Sequence, residues 1–346
     1  MAAPQTEPVG RGRRLGRLAS AIPSGDRFAW THLARRSPTH RPGWRVVAGK
    51  EFADNVMSVR FMILLLIIGL ACVAAVVAAA GFLRDAATAA TDLPSPFLLL
   101  FTQSPERIPS FVALIGFLGP LLGIAFGFDA INQERSEGTL PRLVSQPIHR
   151  DDVVNGKFVA GLAAIGLTLV TLVAVTSGTG IVRMGITPSP GDVARLILYL
   201  AVTLAYVGVW LALAILISVL LRRAATAALT AISAWLVLTL FGTFLVGLVA
   251  DAIGPDDALG QARLEYALSY ISPATLYQAS TAALLNPEVR SVGLLLPEQL
   301  DRAVPGILPL DQSILVVWPQ LTALIAGCVV LFTIAYLAFL RQEIRA

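Results

Sequence analysis

The ionisable side chains with the most regular placement in this chain of 346 residues fall in one polar stretch, Asp129 to Lys157, reading DAINQERSEGTLPRLVSQPIHRDDVVNGK. Glu134 and Glu137 precede a glycine, Gly138, while Arg150 and Lys157 follow a proline, Pro147. Between them Leu140, Leu143 and Val144 fall on one face of a short helical segment. Charges flanking a small apolar face suit ion pairing and the docking of another protein, and they do not form a covalent catalytic set. The sequence contains no H-E-x-x-H, no G-x-S-x-G and no G-x-x-x-x-G-K-[ST], so a zinc-protease pair, a nucleophile elbow and a phosphate-cradling loop are all missing. His32, His40 and His149 lie in polar segments, away from the apolar runs.

The stretch is pinned at both ends by apolar sequence. Ile108–Phe128 runs 21 residues and Phe158–Val182 runs 25 without a charged side chain, each long enough for the roughly 20 residues that cross a hydrocarbon core. Inside it, Gly138 is placed to end a helix continuing from the first apolar run. Thr139 then serves as an N-cap, with Leu140 and Pro141 in the first turn, opening a short helix Leu140–Ser145. Pro147 disfavours helix at Gln146, and Asp151 or Asp152 places a carboxylate at the positive end of the next helix. The plainer reading is a charged connecting loop in which glycine and proline only punctuate turns.

Composition places the whole chain in a membrane. With 56% hydrophobic and 14% charged residues and a mean hydropathy of +0.74, it falls outside the range of soluble domains. Charge-free runs predict an all-α integral membrane protein with six transmembrane helices, at about 61–83, 108–131, 158–182, 196–221, 224–250 and 312–340. Of 26 basic residues, 19 fall on the side holding the N-terminus, the 132–157 loop and the C-terminus, and seven on the other. The positive-inside bias therefore predicts that both termini and the loop are cytoplasmic in a multi-pass plasma-membrane protein. Cys72 and Cys328 lie within apolar runs, as packing groups and not as a disulfide or metal site.

Residues 1–43 carry eight arginines against Glu7 and Asp26 and read as a disordered basic tail, with contact to anionic lipid as the alternative. From Trp44 to Arg60, Trp44, Ala48, Phe52, Val56 and Val59 recur at helical spacing opposite Lys50, Glu51, Asp54, Asn55 and Ser58, predicting an amphipathic helix over 44–60. In the second span Gly119, Gly123 and Gly127 form a small-residue face for close approach of another helix, in the same chain or in a second copy. Asp129, at the end of that span, is expected to be solvated or paired with a loop arginine. Arg222–Arg223 leaves room only for a tight hairpin between spans four and five. The stretch 251–313, with eight acids and three arginines, predicts a helical external subdomain, with Ser272-Pro273 opening a helix through about Leu285.

The pattern Glu134, Glu137-Gly138-Thr139-Leu140, Ser145, Pro147-Ile148, Arg150 and Gly156-Lys157 resembles the permease subunits of type-2 ATP-binding-cassette transporters, in particular the branch of the nitrous-oxide-reductase maturation permease. The resemblance implies that the loop carries a coupling helix docking on a cytoplasmic cassette ATPase. On this reading Glu134, Glu137, Gly138, Thr139, Leu140, Leu143, Val144, Pro147, Arg150 and Lys157 form the coupling loop, and the 44–60 segment is an elbow helix flat on the inner leaflet. It also implies a second permease copy or a paralogue, export as the direction, and ATP and Mg bound by the partner and not by this chain. The chain is expected to have no catalytic, cofactor or metal site of its own, no fused ATPase after the last span, and no nucleic-acid partner. A secondary transporter or channel is the alternative, but it calls for ionisable residues at mid-membrane, and the apolar runs hold none.

Overall fold

A computed structural model describes residues 42–87, 95–105, 108–136, 138, 150–255, 257–286 and 309–342. Every regular element among these is a helix. Five helices are long and apolar enough to cross a membrane, or six when one bent pair counts as a single span.

The first helix, α1 (Gly43–Met57), is followed at once by the first long apolar helix, α2 (Val59–Ala87). One serine makes the joint. Ser58 leaves the helical region (φ −72°, ψ 141°), its hydroxyl donates to the Asn55 carbonyl at 2.7 Å, and it accepts the Phe61 amide at 3.1 Å. The same side chain thus closes one helix and caps the next. Val47 and Ala48 form the buried part of α1, with Phe52 and Val56 half-buried against the core. Val59, grouped with that face in the sequence, instead begins α2 and is 71% exposed.

A short helix, α3 (Pro96–Thr102), follows, with Phe97, Leu98, Leu100 and Phe101 all buried. At seven residues it is far too short to span; it plugs one end of the bundle, where Phe101 meets Phe111 edge-on at 5.1 Å. Helix α4 (Phe111–Gly127) is capped by Ser110, which accepts the Ala113 amide at 3.2 Å, and after a turn it continues as α5 (Asn132–Ser136). Gly138 then takes φ +65°, the left-handed conformation that ends helices and that glycine adopts without strain.

Chain resumes with α6 (Arg150–Met184), whose first turn holds Asp151 and Asp152. After Gly185, α7 (Pro190–Leu220) opens on a capping box: Asp192 N–H donates to Ser189 Oγ at 3.1 Å and Ser189 N–H to Asp192 Oδ2 at 2.9 Å. Helix α7 is the central post, buried along most of its length from Leu196 to Val219. Three-residue spacing then leads to α8 (Ala224–Leu240) and α9 (Gly242–Ile253).

The span expected over 224–250 is bent, its arms Ala224–Leu240 and Phe244–Ile253 meeting at 64°. Gly242 gives the helix little intrinsic support, and nothing packs within 4 Å of its Cβ position to hold the chain straight. The acidic region contains α10 (Ala258–Ser269) and α11 (Pro273–Leu285), and the last helix is α12 (Leu310–Leu340). Helix α11 is part of the bundle: Tyr277, Leu284 and Leu285 are buried against α7 and α12. Buried Arg195 of α7 fastens it, donating to the Leu284 carbonyl at 2.9 Å and to Ser313 Oγ at 3.1 Å. Among the predicted segments, most of the 1–43 tail and the end of the acidic region lie outside the described residues.

Candidate functional site

The two ends of the 137–149 loop are tied together by one lysine. Lys157 Nζ, in the second turn of α6, sits 2.8 Å from Glu134 Oε1 on α5 and 3.0 Å from Glu51 Oε2 on α1. Its side chain is 7% exposed, Glu134 11% and Glu51 18%, so this is a largely desolvated triad with the cation between two carboxylates. Lys157 and Glu134 were both singled out by the sequence; Glu51 was not, having been placed with the exposed residues of α1. The neighbour of Lys157 explains the difference. A Cβ on Gly156 would lie 2.7 Å from Val47 Cβ and 3.0 Å from the Trp44 carbonyl, so the missing side chain admits α1 against α6 and turns Glu51 towards Lys157.

A second pair stands beside the triad. Arg60, at the head of α2, meets Asp129 Oδ2 at 2.9 Å, donates to the Ala125 carbonyl at 3.0 Å and stacks over the Phe128 ring at 4.9 Å. Among the described residues, the partner of Asp129 is therefore an arginine of the first span. Lys50 reaches Asp54 at 3.2 Å and Glu51 at 3.5 Å; burial lowers its pKa, but the carboxylates of Glu51 and Asp54 outweigh that and leave it raised. These groups line a cavity of about 520 Å³ bounded by α1, the start of α2, the α4–α5 turn and Lys157.

Further bonds bring the remaining chain ends to the same place. Ser218, near the end of α7, accepts the amides of Ile131 and Asn132 at 3.1 and 3.3 Å. Gln342, just past α12, accepts from Arg135 of α5 and donates to the Val219 carbonyl at 2.7 Å. Thus α1, both anchors of the loop, the end of α7 and the end of α12 meet at one end of the bundle. Arg60, Ser218 and Gln342 were not anticipated as partners; polar residues at the margins of apolar runs are the signal that marks them.

Of the remaining loop residues, Glu137, Thr139, Leu140, Leu143, Val144 and Pro147 lie outside the described residues, and Arg150 is the first residue of α6. The three glycines face α7 of the same chain. Cβ atoms on Gly119, Gly123 and Gly127 would meet Val207 Cγ2 at 3.0 Å, the Val207 carbonyl at 2.7 Å and the Leu211 carbonyl at 2.9 Å. At the last two, backbone meets backbone, and only glycine permits that approach.

What the geometry provides is mechanical: a loop whose two ends and a flanking helix share one buried cation. Comparison with known proteins places it. Residues 45–344 match the description "ABC-2 family transporter protein". Two similar proteins are both named probable ABC transporter permease protein NosY. That of Stutzerimonas stutzeri is 36% identical over 86 residues, 25% of this chain and 29% of the relative; that of Pseudomonas aeruginosa is 28% identical over 184 residues, 51% of this chain and 64% of the relative. The matches span less than two thirds of either relative's length. With a family match across nearly the whole described bundle and five or six membrane-crossing helices, this multi-pass membrane protein belongs to the ABC-2 family of transporters.

Proposed function

We propose that the chain is the permease subunit of an ATP-binding-cassette exporter and that the 137–149 loop is its contact with a separate cytoplasmic ATPase. The carrying observation is the Glu134–Lys157–Glu51 triad, which links both ends of the loop to each other and to α1. Force applied to the loop reaches α4, α6 and α1 together, because separating any pair exposes a desolvated charge, at a cost of several kcal/mol. ATP and Mg are held by the ATPase, and this chain supplies the path. The names of the two relatives support a permease role, and the resemblance of the loop supports export.

On this reading the loop end, with both termini, faces the cytoplasm of a plasma membrane, a side that the bias of basic residues supports. Helix α1 then lies at the inner leaflet as an elbow. A second copy or a paralogue completes the transporter; α12 exposes Leu315, Trp318, Val329 and Val330, and α8–α9 expose Leu236, Leu240, Phe241, Phe244 and Leu248, leaving apolar flanks for lipid and for that second half.

The test is Leu143→Asp with Val144→Asp. Two uncompensated carboxylates in a protein groove cost several kcal/mol, enough to weaken a micromolar association by about a hundredfold or more. The variant should insert and express normally, fail to co-elute with its cognate ATPase, and fail in ATP-driven transport in vesicles. Unchanged co-elution and transport would remove the loop from the docking interface.

A further inference from the structure

At the end of the bundle away from the triad, a cavity of about 410 Å³ opens between α3, α4, α7, α8 and α11. Its size falls within the roughly 300–1,000 Å³ of small-molecule sites. Its base is built from tyrosines. Tyr277 of α11 stacks on Tyr206 of α7 with ring centres 4.5 Å apart and planes at 16°. The Tyr277 and Tyr199 hydroxyls are 3.0 Å apart, and Tyr206 donates to the Gly116 carbonyl at 2.9 Å. Gly116 makes room for this arrangement, since a Cβ there would come within 3.1 Å of the Tyr277 ring.

The chemistry of the wall is selective. It carries hydroxyls and carboxamides from Ser110, Thr239, Gln278 and Thr281 beside the apolar surface of Phe117, and among the described residues no Asp, Glu, Lys or Arg lines it. The Thr239 hydroxyl is buried without a hydrogen-bond partner among the described residues. A charged ligand entering here would lose hydration and gain no counter-ion from these described walls, a cost of several kcal/mol. A neutral head group bearing hydroxyls would exchange its water for these donors and acceptors, with an attached alkyl chain lying along Phe117.

We propose that this cavity is a binding site for an uncharged, hydroxyl-bearing amphiphile, of the chemical class represented by an alkyl glycoside. Occupancy needs only the described bundle and does not depend on docking of an ATPase, so the two ideas stand or fall separately.

The full chain in lipid nanodiscs would be labelled with a diazirine-bearing octyl glucoside and the modified peptides mapped by mass spectrometry. Label is expected on segments 110–117 and 274–286, suppressed by excess n-octyl glucoside and not by octyltrimethylammonium of equal chain length. Ala113 and Ala282 line the cavity from exposed positions, so Ala113→Trp and Ala282→Trp fill it without burying new bulk in the core. Each should cut labelling about tenfold, equivalent to 1.4 kcal/mol. Label spread evenly over the lipid-facing helices, equal suppression by the cationic competitor, or undiminished labelling in both variants would overturn the proposal. The competition on the unaltered chain decides the matter even if a tryptophan variant fails to fold.

Discussion

Replacing Lys157 by methionine keeps much of the side-chain volume and removes the cation from between Glu51 and Glu134. At N···O distances of 2.8 and 3.0 Å, each contact contributes on the order of 5 kcal/mol at an effective dielectric of about 20. Desolvation of three side chains offsets most of that in the intact triad. In Lys157→Met the attraction disappears while the two carboxylates, 11% and 18% exposed, stay largely desolvated, with Lys50 still 3.5 Å from Glu51. Breaking a buried pair in this way costs about 3–5 kcal/mol, which at about 3 °C per kcal/mol is a fall in Tm of roughly 10 °C. Cys72, fully buried in α2, supplies the readout: a thiol-reactive dye added to the purified protein reports the temperature at which the bundle opens. Neutralising the acids as well, in Glu51→Gln/Glu134→Gln/Lys157→Met, should recover at least half of the loss, because no desolvated carboxylate remains at either position. The reasoning is refuted if Lys157→Met melts within about 2 °C of the parent, or if the triple variant melts no higher than Lys157→Met.

The glycine stripe invites a contrast between two positions in one melting assay. Gly123→Leu drives a side chain against the Val207 carbonyl, 2.7 Å from its Cβ position, and should destabilise by about 1–3 kcal/mol or more, whereas Gly49→Ala, with nothing within 4 Å, should be neutral or slightly stabilising. Equal melting temperatures would mean that α4 and α7 are not in backbone contact. Orientation is tested by single cysteines in a Cys72→Ala/Cys328→Ala background: an impermeant thiol reagent should label Glu265→Cys in intact cells and leave Ser145→Cys unlabelled. Glu265 is exposed on α10. Labelling at Ser145→Cys would reverse the topology and with it the assignment of the loop to the ATPase.

Local signals in the sequence were informative wherever a residue acts on its own backbone. Ser272-Pro273 marks the start of α11, Arg222–Arg223 separates α7 from α8, and Gly138 stands where the chain leaves α5 in a left-handed turn. Helix α3 escaped notice because PFLLLFT is too short for a span and lacks a polar face to show periodicity. The break at Phe241–Gly242 was hidden for a related reason: both arms are apolar, so hydropathy runs through the bend without interruption. Glu51 was assigned to the wrong face of α1, since its position beside Lys50 and one turn from Asp54 reads as solvent-facing until α6 is brought against it.

What the amino-acid order determined alone is the class and course of the chain. Charge-free lengths dictate the crossings, and basic residues mark one side of the predicted topology. Tertiary structure decided which way each helix turns. A helix that is apolar all round carries no moment to orient it, because lipid is as apolar as the interior of the bundle. Orientation is then set by close approach and by long-range polar pairing, as at Gly123 against Val207, Gly156 against Val47, and Lys157 between Glu51 and Glu134. These contacts join positions from 23 to 109 residues apart, and no periodicity within a single segment encodes them.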